Sequence, residues 1–300
     1  MTIENTVIAH YWHGALEEAL LQGLAVAGKD IDKLAPDDLA AADEFHIGGR
    51  QATVDFVAEF QPGAGTHWLD IGSGLGGPSR FVAHSCHCRV TGVDLSEEYV
   101  AVAGSLASRV GLADKVDYRQ GSALALPFGD NSFDGVYMQH VGMNIADKAK
   151  LFNEVHRVLK PDGIFALYDV MRGNDGTFNY PVPWASGAES NFIETPATYR
   201  ALLNAEGFEI VRERNRVDFA MGFFRALQAK AGGGGRPSPF GLQIVMGANT
   251  PQKVANMIGL VECGSVAPVV MICRRVGADP HARNVQQVRP WLLDRVAIGD

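Results

Sequence analysis

One stretch of the chain combines glycines and carboxylates in a pattern suited to holding a ligand: Leu69-Asp70-Ile71-Gly72-Ser73-Gly74-Leu75-Gly76-Gly77. It joins a short apolar run, His67 to Ile71, to a helical one, Pro78 to His84. Glycines at such a turn let the backbone bend sharply and let a ligand approach the main chain. Gly72, Gly74 and Gly77 also match the dinucleotide pattern GxGxxG, a weak signal by itself, and a tight turn that binds nothing is the plain alternative. Two acids sharpen the case. Asp94 ends the next apolar run, where a carboxylate accepts hydrogen bonds from both hydroxyls of a ribose, unless it only caps the following helix. Asp70, at the tip of the first strand, would repel a pyrophosphate and attract an ammonium group.

A ligand with an ammonium group, a ribose and no phosphate fits these two acids better than NAD does. S-adenosylmethionine is such a ligand, and its sulfonium methyl implies transfer to an acceptor. That reaction is an in-line displacement, so the protein mainly aligns the acceptor and excludes water. A base helps when the acceptor must lose a proton. Gln139-His140-Val141-Gly142-Met143-Asn144 occupies the tip of the fourth strand and the loop beyond it. His140 is the candidate base, because its ordinary pKa suits neutral pH. Asn144 is placed to orient the substrate. Adjacent strand residues face opposite ways, so Gln139 and His140 need not share a pocket. At the fifth strand's tip, Tyr168 and Asp169 face the same region. Asp169 would orient a histidine or bind a cationic amine, a turn cap being the alternative. Upstream, Phe45-His46-Ile47-Gly48-Gly49-Arg50 precedes the core. His46 or Arg50 would meet the cofactor carboxylate or the acceptor, or else the two glycines merely break the chain. Phe178, Tyr180 and Trp184 would form an aromatic wall for a planar or methylated-ammonium acceptor, or simply pack a lid. Arg200 and Arg225 are candidates for an acceptor carboxylate. Val254, Met257 and Ile258 look like packing.

These residues need a frame. Helical spacing of Leu16, Ala19, Leu20, Leu24 and Ala27 predicts a helix over 11–28, and a second runs from about Arg50 to Phe60 before Pro62-Gly63. Strands then alternate with helices: Arg89 to Val93, a helix capped by Ser96 with Glu98 close behind, Val116 to Arg119, Phe133 to Val141, a helix from Asp147 to Leu159, a turn at Lys160 to Gly163, and Ile164 to Val170. Such alternation predicts a doubly wound parallel sheet that binds ligands beyond its carboxyl ends. Beyond it come an irregular insertion over 171–194, a helix from Thr195 to Glu206 and a strand from Phe208 to Val217. A second insertion follows over 218–262, its two helical stretches split by Gly232 to Gly235, and Ala267 to Arg275 is the last strand. The organisation expected is an N-terminal helical cover over 1–62, a core over 63–275 carrying both lid insertions, and a polar, partly disordered tail over 276–300.

In order, LDIGSGLGG, VTGVDLS, QGSALALPFGDNSFDGVYMQHV and EVHRVLKPDGIFALYDV resemble the core of class I S-adenosylmethionine-dependent methyltransferases over roughly residues 45–217. The likeness is nearest to the small-molecule branch that contains ubiquinone-biosynthesis-type and sarcosine/dimethylglycine N-methyltransferases. It implies an α/β Rossmann-like fold, a seven-stranded sheet with its last strand antiparallel. It also implies that Asp70, Gly72, Ser73, Gly74 and Gly76 cradle the methionine end, that Asp94 holds the ribose, and that Leu95 packs on the adenine. Gln139 matches a position that meets the methionine portion. Gly121-Ser122-Ala123 departs from the pattern, which carries an acid where Ser122 stands to accept from the adenine amino group. Serine accepts more weakly than a carboxylate.

The chain's 300 residues, 47% hydrophobic and 20% charged, make an ordinary globular composition. A net charge of −8 and the lack of a basic stripe argue against nucleic acid. Neither a signal peptide nor a long apolar span is evident, so the expectation is a cytoplasmic protein off the membrane. Cys86-His87-Cys88 has poor spacing for zinc, no metal site is expected, and the cysteines read as inert thiols. The expected activity is methyl transfer from S-adenosylmethionine, leaving S-adenosylhomocysteine, to N or O of a small acceptor, foremost an amine such as sarcosine or dimethylglycine. The alternatives are O- or C-methylation of an aromatic, quinone or natural product, and more remotely a nicotinamide oxidoreductase or a non-catalytic binding protein. A homodimer is left open.

Overall fold

The computed structural model describes residues 2–232 and 238–276. Gly233 to Gly235 and the tail from Gly277 onward, both singled out above, lie outside the described residues.

Seven strands form one sheet in the order β3-β2-β1-β4-β5-β7-β6. β1 (His67–Ile71), β2 (Arg89–Asp94), β3 (Val116–Gln120), β4 (Phe133–Gln139) and β5 (Leu159–Arg172) pair in parallel. β7 (Val266–Arg275) runs antiparallel between β5 and β6 (Phe208–Asn215). The central strands read as near-continuous apolar runs because helices cover both their faces. One face packs Phe133, Val136, Phe165 and Leu167 under α7 (Lys148–Val158) and α8 (Pro196–Ala205). The other packs Trp68, Tyr137, Ala166 and Val270 under α4 (Gly49–Phe60) and α5 (Gly77–Ser85). Gly135 lies beneath the Trp68 indole, where a Cβ would sit 2.3 Å from the ring.

Helix starts follow local chemistry. Ser96 caps α6 (Glu97–Arg109) by accepting from Tyr99 N, and Asp147 and Thr195 do the same for α7 and α8. Glu98 closes no box with Ser96. Its carboxylate accepts from His13 N and Leu16 N instead, and so pins the next-but-distant helix start onto α6.

Three expectations are corrected. The helix expected over 11–28 is the shorter α2 (Leu16–Val26), and a separate helix, α1 (Ile3–Tyr11), precedes it, the two parted at Gly14, whose φ of +80° favours glycine. β4 stops at Gln139 rather than Val141, because His140 adopts a left-handed φ of +56° and turns the chain. The turn at Lys160 to Gly163 is a bulge inside β5, where pairing jumps from Phe133–Leu159 to Gly135–Ile164. A short helix, α3 (Ala40–Asp43), precedes α4. After β6 the chain forms α9 (Val217–Gly232), α10 (Gln243–Met246) and α11 (Thr250–Glu262). With residues 171–194 these helices pack over the carboxyl ends of the strands.

Candidate active site

The strand order reverses between β1 and β4, and a parallel sheet binds its ligands at such a switch point. A cavity of about 690 Å3 opens there, within the range of small-molecule sites.

At one end the glycine loop forms the floor. Gly72, Gly74 and Gly76 all have positive φ, and the Gly72 and Ser73 N–H groups donate to Val93 O at 2.8 and 3.1 Å. A Cβ on Gly72 would come within 2.4 Å of Val141. Gly74 N donates to Asp94 Oδ2 and Ser96 N to Oδ1, each at 2.9 Å, so two backbone bonds fix the Asp94 carboxylate at the cavity wall. Leu95, Ser122 and Ala123 continue that wall. Asp70 is buried and accepts from Ser79 Oγ at 2.6 Å; burial pushes its carboxyl up to about 7. Gly76 does not line the cavity: it opens α5, with Tyr118 donating to its carbonyl.

Ser73 Oγ, Gln139 Oε1, Asp43 Oδ1 and Glu44 Oε1 along this end are buried without a hydrogen bond. Asp43 also pairs with Arg80 at 2.5 Å, both side chains almost wholly buried. Beside them Glu44 accepts from Thr53 Oγ1 at 2.6 Å, and burial pushes it up to about 8. His46 Nε2 lies 3.1 Å from Gly49 O and 3.0 Å from Thr53 Oγ1. Burial drives its imidazole down to about 4, so it is neutral. The acids Asp43, Glu44, Asp70 and Asp94 all line this end, and Glu4 joins them beside Ser122. Orphaned acceptors and buried acids suit a ligand that brings donors and positive charge.

The other end is apolar. Met143, Trp184, Phe223, Phe224, Leu227, Met246, Val254 and Met257 line it. Among the described residues, no Arg or Lys faces the cavity. His140 stands at the junction of the two ends. Ile47 N donates to its Nε2 at 3.4 Å, which leaves the ring proton on Nδ1, a buried atom with no partner. Burial holds this imidazole well below its ordinary value, so it is neutral. Its free nitrogen therefore offers a proton.

Several residues expected at the acceptor stand elsewhere. Asp169 is fully buried behind the wall and accepts from the Tyr199 hydroxyl at 2.6 Å. Tyr168 donates to Ile47 O, and so fixes the segment that positions His140. Arg50 turns to Glu44 and Asp37. Asn144 faces the cavity, but its amide is committed: it accepts from the Tyr11 hydroxyl at 3.2 Å and donates to Trp184 O at 2.9 Å. Of the aromatic trio only Trp184 lines the cavity; Tyr180 holds Asn191 and stacks on Phe178. Arg200 pairs with Glu213, and Arg225 does not line the cavity. Val254 and Met257, read as packing, do line it.

Sequence reasoning missed α1. Ile3, Glu4, Val7, Ile8 and Tyr11 all face the cavity, and His10 ties the helix to Pro183 and Ser186. The signal was the spacing of Ile3, Val7 and Tyr11 behind a Thr2 cap.

Residues 69–167 match the family model described as a methyltransferase domain. A sterol 24-C-methyltransferase of Gibberella zeae is 41% identical over 101 residues, 34% of this chain and 27% of the relative. The glycine/sarcosine/dimethylglycine N-methyltransferase of Actinopolyspora halophila is 30% identical over 173 residues, 58% of this chain and 30% of the relative. The chain thus spans less than a third of the length of either. Among solved structures, phosphoethanolamine N-methyltransferase 2 of Haemonchus contortus in complex with S-adenosyl-L-methionine superposes with a TM-score of 0.70. That match is 18% identical and covers 92% of this chain and 60% of the other.

Proposed function

We propose that this chain, whose residues 69–167 match a methyltransferase domain, is a class I S-adenosylmethionine-dependent methyltransferase that transfers a methyl group to a predominantly apolar small molecule bearing no carboxylate or phosphate. The observation that carries this reading is the cavity itself: an acid-rich cradle continuous with an apolar chamber that no Arg or Lys faces among the described residues. Asp94 would hold the ribose. Asp70, Ser73 Oγ and Gln139 Oε1 would take the ammonium donors, and Leu95 would cover the adenine. The cofactor supplies an activated methyl group. The protein aligns the acceptor and excludes water, and Trp184, Phe224 and Met257 serve the second task. His140 Nδ1–H would anchor an acceptor oxygen.

The amine acceptors expected from the sequence, sarcosine and dimethylglycine, fit this chamber less well. Each carries a carboxylate, and burying an anion without a partner costs several kcal/mol, on the order of the desolvation penalty per ion. A methylated or bulky apolar amine would not incur that cost.

Calorimetric titration with S-adenosylmethionine followed by an acceptor screen tests the proposal. The screen sets farnesol and a prenylated hydroquinone against sarcosine, dimethylglycine and geranyl diphosphate, with S-adenosylhomocysteine as readout. Turnover confined to the uncharged group is expected and reports whether O or C is methylated. Turnover of sarcosine would overturn the acceptor class, and lack of cofactor binding would overturn the activity.

A further inference from the structure

The strand-end loop carries serine where the resemblance calls for an acid, and the fold brings a carboxylate to that spot from outside the core. Ser122 Oγ donates to Glu4 Oε1, and its lone pair accepts from Leu124 N at 3.0 Å. Glu4 stands in the first turn of α1 and faces the cavity together with Ser122. We infer that Glu4 is the group that accepts the amino hydrogen of the cofactor's adenine.

This inference rests on S-adenosylmethionine being the ligand, and the following observations carry it. Leu95, Ala123 and Leu124 line that part of the cavity, two walls of apolar atoms that suit the faces of a planar base. The edge of a base seated there meets Ser122 and Glu4. The Ser122 hydroxyl proton is already spent on Glu4, and one of its two lone pairs on Leu124 N. Glu4 Oε2 makes no hydrogen bond among the described residues. An exocyclic amine directed at this corner therefore finds a carboxylate oxygen, and a charged acceptor gives a shorter and stronger bond than a hydroxyl. Two sets of contacts hold α1 against the rest of the fold: the Tyr11–Asn144 bond and the His10 contacts with residues 183 and 186. A carboxylate also sits favourably in the first turn, near the positive end of the helix dipole. Base recognition is thereby moved from the sheet to a helix that precedes the core.

Two probes that differ only at the base edge test this: S-adenosylhomocysteine, which has a 6-amino donor, and S-inosylhomocysteine, which has a 6-oxo acceptor. The wild-type chain should prefer the adenosyl compound by at least about tenfold, the worth of one hydrogen bond to a charged group. Glu4→Gln should lose about that factor for the adenosyl compound and bring the preference close to unity, since its amide can donate to a 6-oxo group. Ser122→Asp in the Glu4→Gln background should restore both affinity and preference. Wild-type binding with an unchanged preference in Glu4→Gln overturns this assignment alone. A folded wild-type chain that binds neither probe overturns the assignment and the cofactor reading together.

Discussion

Asp70 makes the cofactor cradle sensitive to pH in a direction that can be worked out. Burial pushes its carboxyl up to about 7, with the Ser79 and Tyr137 hydroxyls pulling the other way. Only the ionised form attracts an ammonium group. With that midpoint, about one chain in eleven carries the charge at pH 6 and about half at pH 7. Affinity for S-adenosylhomocysteine should therefore rise about fivefold over that interval, before the ligand's own amine begins to lose its proton near pH 8. Binding at pH 6 should also release close to one proton. Calorimetry in two buffers of different ionisation enthalpy measures both quantities. In Asp70→Asn the affinity should be lower and flat with pH. A flat wild-type profile with no proton release would refute the placement of the ammonium at Asp70. A slope that survives in Asp70→Asn would refute it too, and would point to Glu44, raised to about 8. The same shift has a cost without ligand. The folded chain keeps this proton to higher pH than the unfolded chain, so Asp70's contribution to stability is complete below about pH 4 and is lost as pH climbs through 7.

Asp94→Ala should weaken S-adenosylhomocysteine by at least about hundredfold in the same titration, because two charge-assisted bonds go with the carboxylate. His140→Ala should leave cofactor binding intact and lower kcat by about tenfold, the scale of one lost anchor. The wild-type kcat should be flat from pH 6 to 8; a limb in that range, or rescue by added imidazole, would show a base instead. Arg80→Met strands the Asp43 carboxylate, whose side chain is 2% exposed, and should cost about 3–5 kcal/mol in denaturant unfolding. Gly135→Ala drives a methyl group into the Trp68 ring and should cost about 1–3 kcal/mol by the same measurement.

The sheet was legible because its signals are local. A buried parallel strand reads as an apolar run, and its helices begin at Ser96, Asp147 and Thr195, each with a side chain that reaches its own cap. The glycine loop and Asp94 were legible because the glycines and the strand-end acid are themselves signals in the chain, although the bonds that set their geometry, such as Gly74 N to Asp94, join residues 20 apart. What sequence could not supply was pairing over long separations. Glu4 meets Ser122, Tyr11 meets Asn144 and Ile47 meets His140 only once the fold is made. The second of these commits the Asn144 amide to α1, and the third fixes the His140 tautomer that carries its proton on Nδ1. Asp169 was misread because strand-tip position does not say which way a side chain points, and Tyr199, from α8, claims it.

The place of β7 bears on how the chain is made. β6 is synthesised before α9, α10 and α11, yet its one neighbour in the sheet is β7, which follows all of them. Until Val266–Arg275 emerges from the ribosome, β6 has nothing to pair with. The Ile164–Arg172 edge of β5 meanwhile stands open, an apolar ladder of unpaired amides of the kind that recruits other chains. Completion of the sheet is thus the last act of synthesis among the described residues, and a chain interrupted within α11 would carry a formed glycine loop beside an aggregation-prone edge.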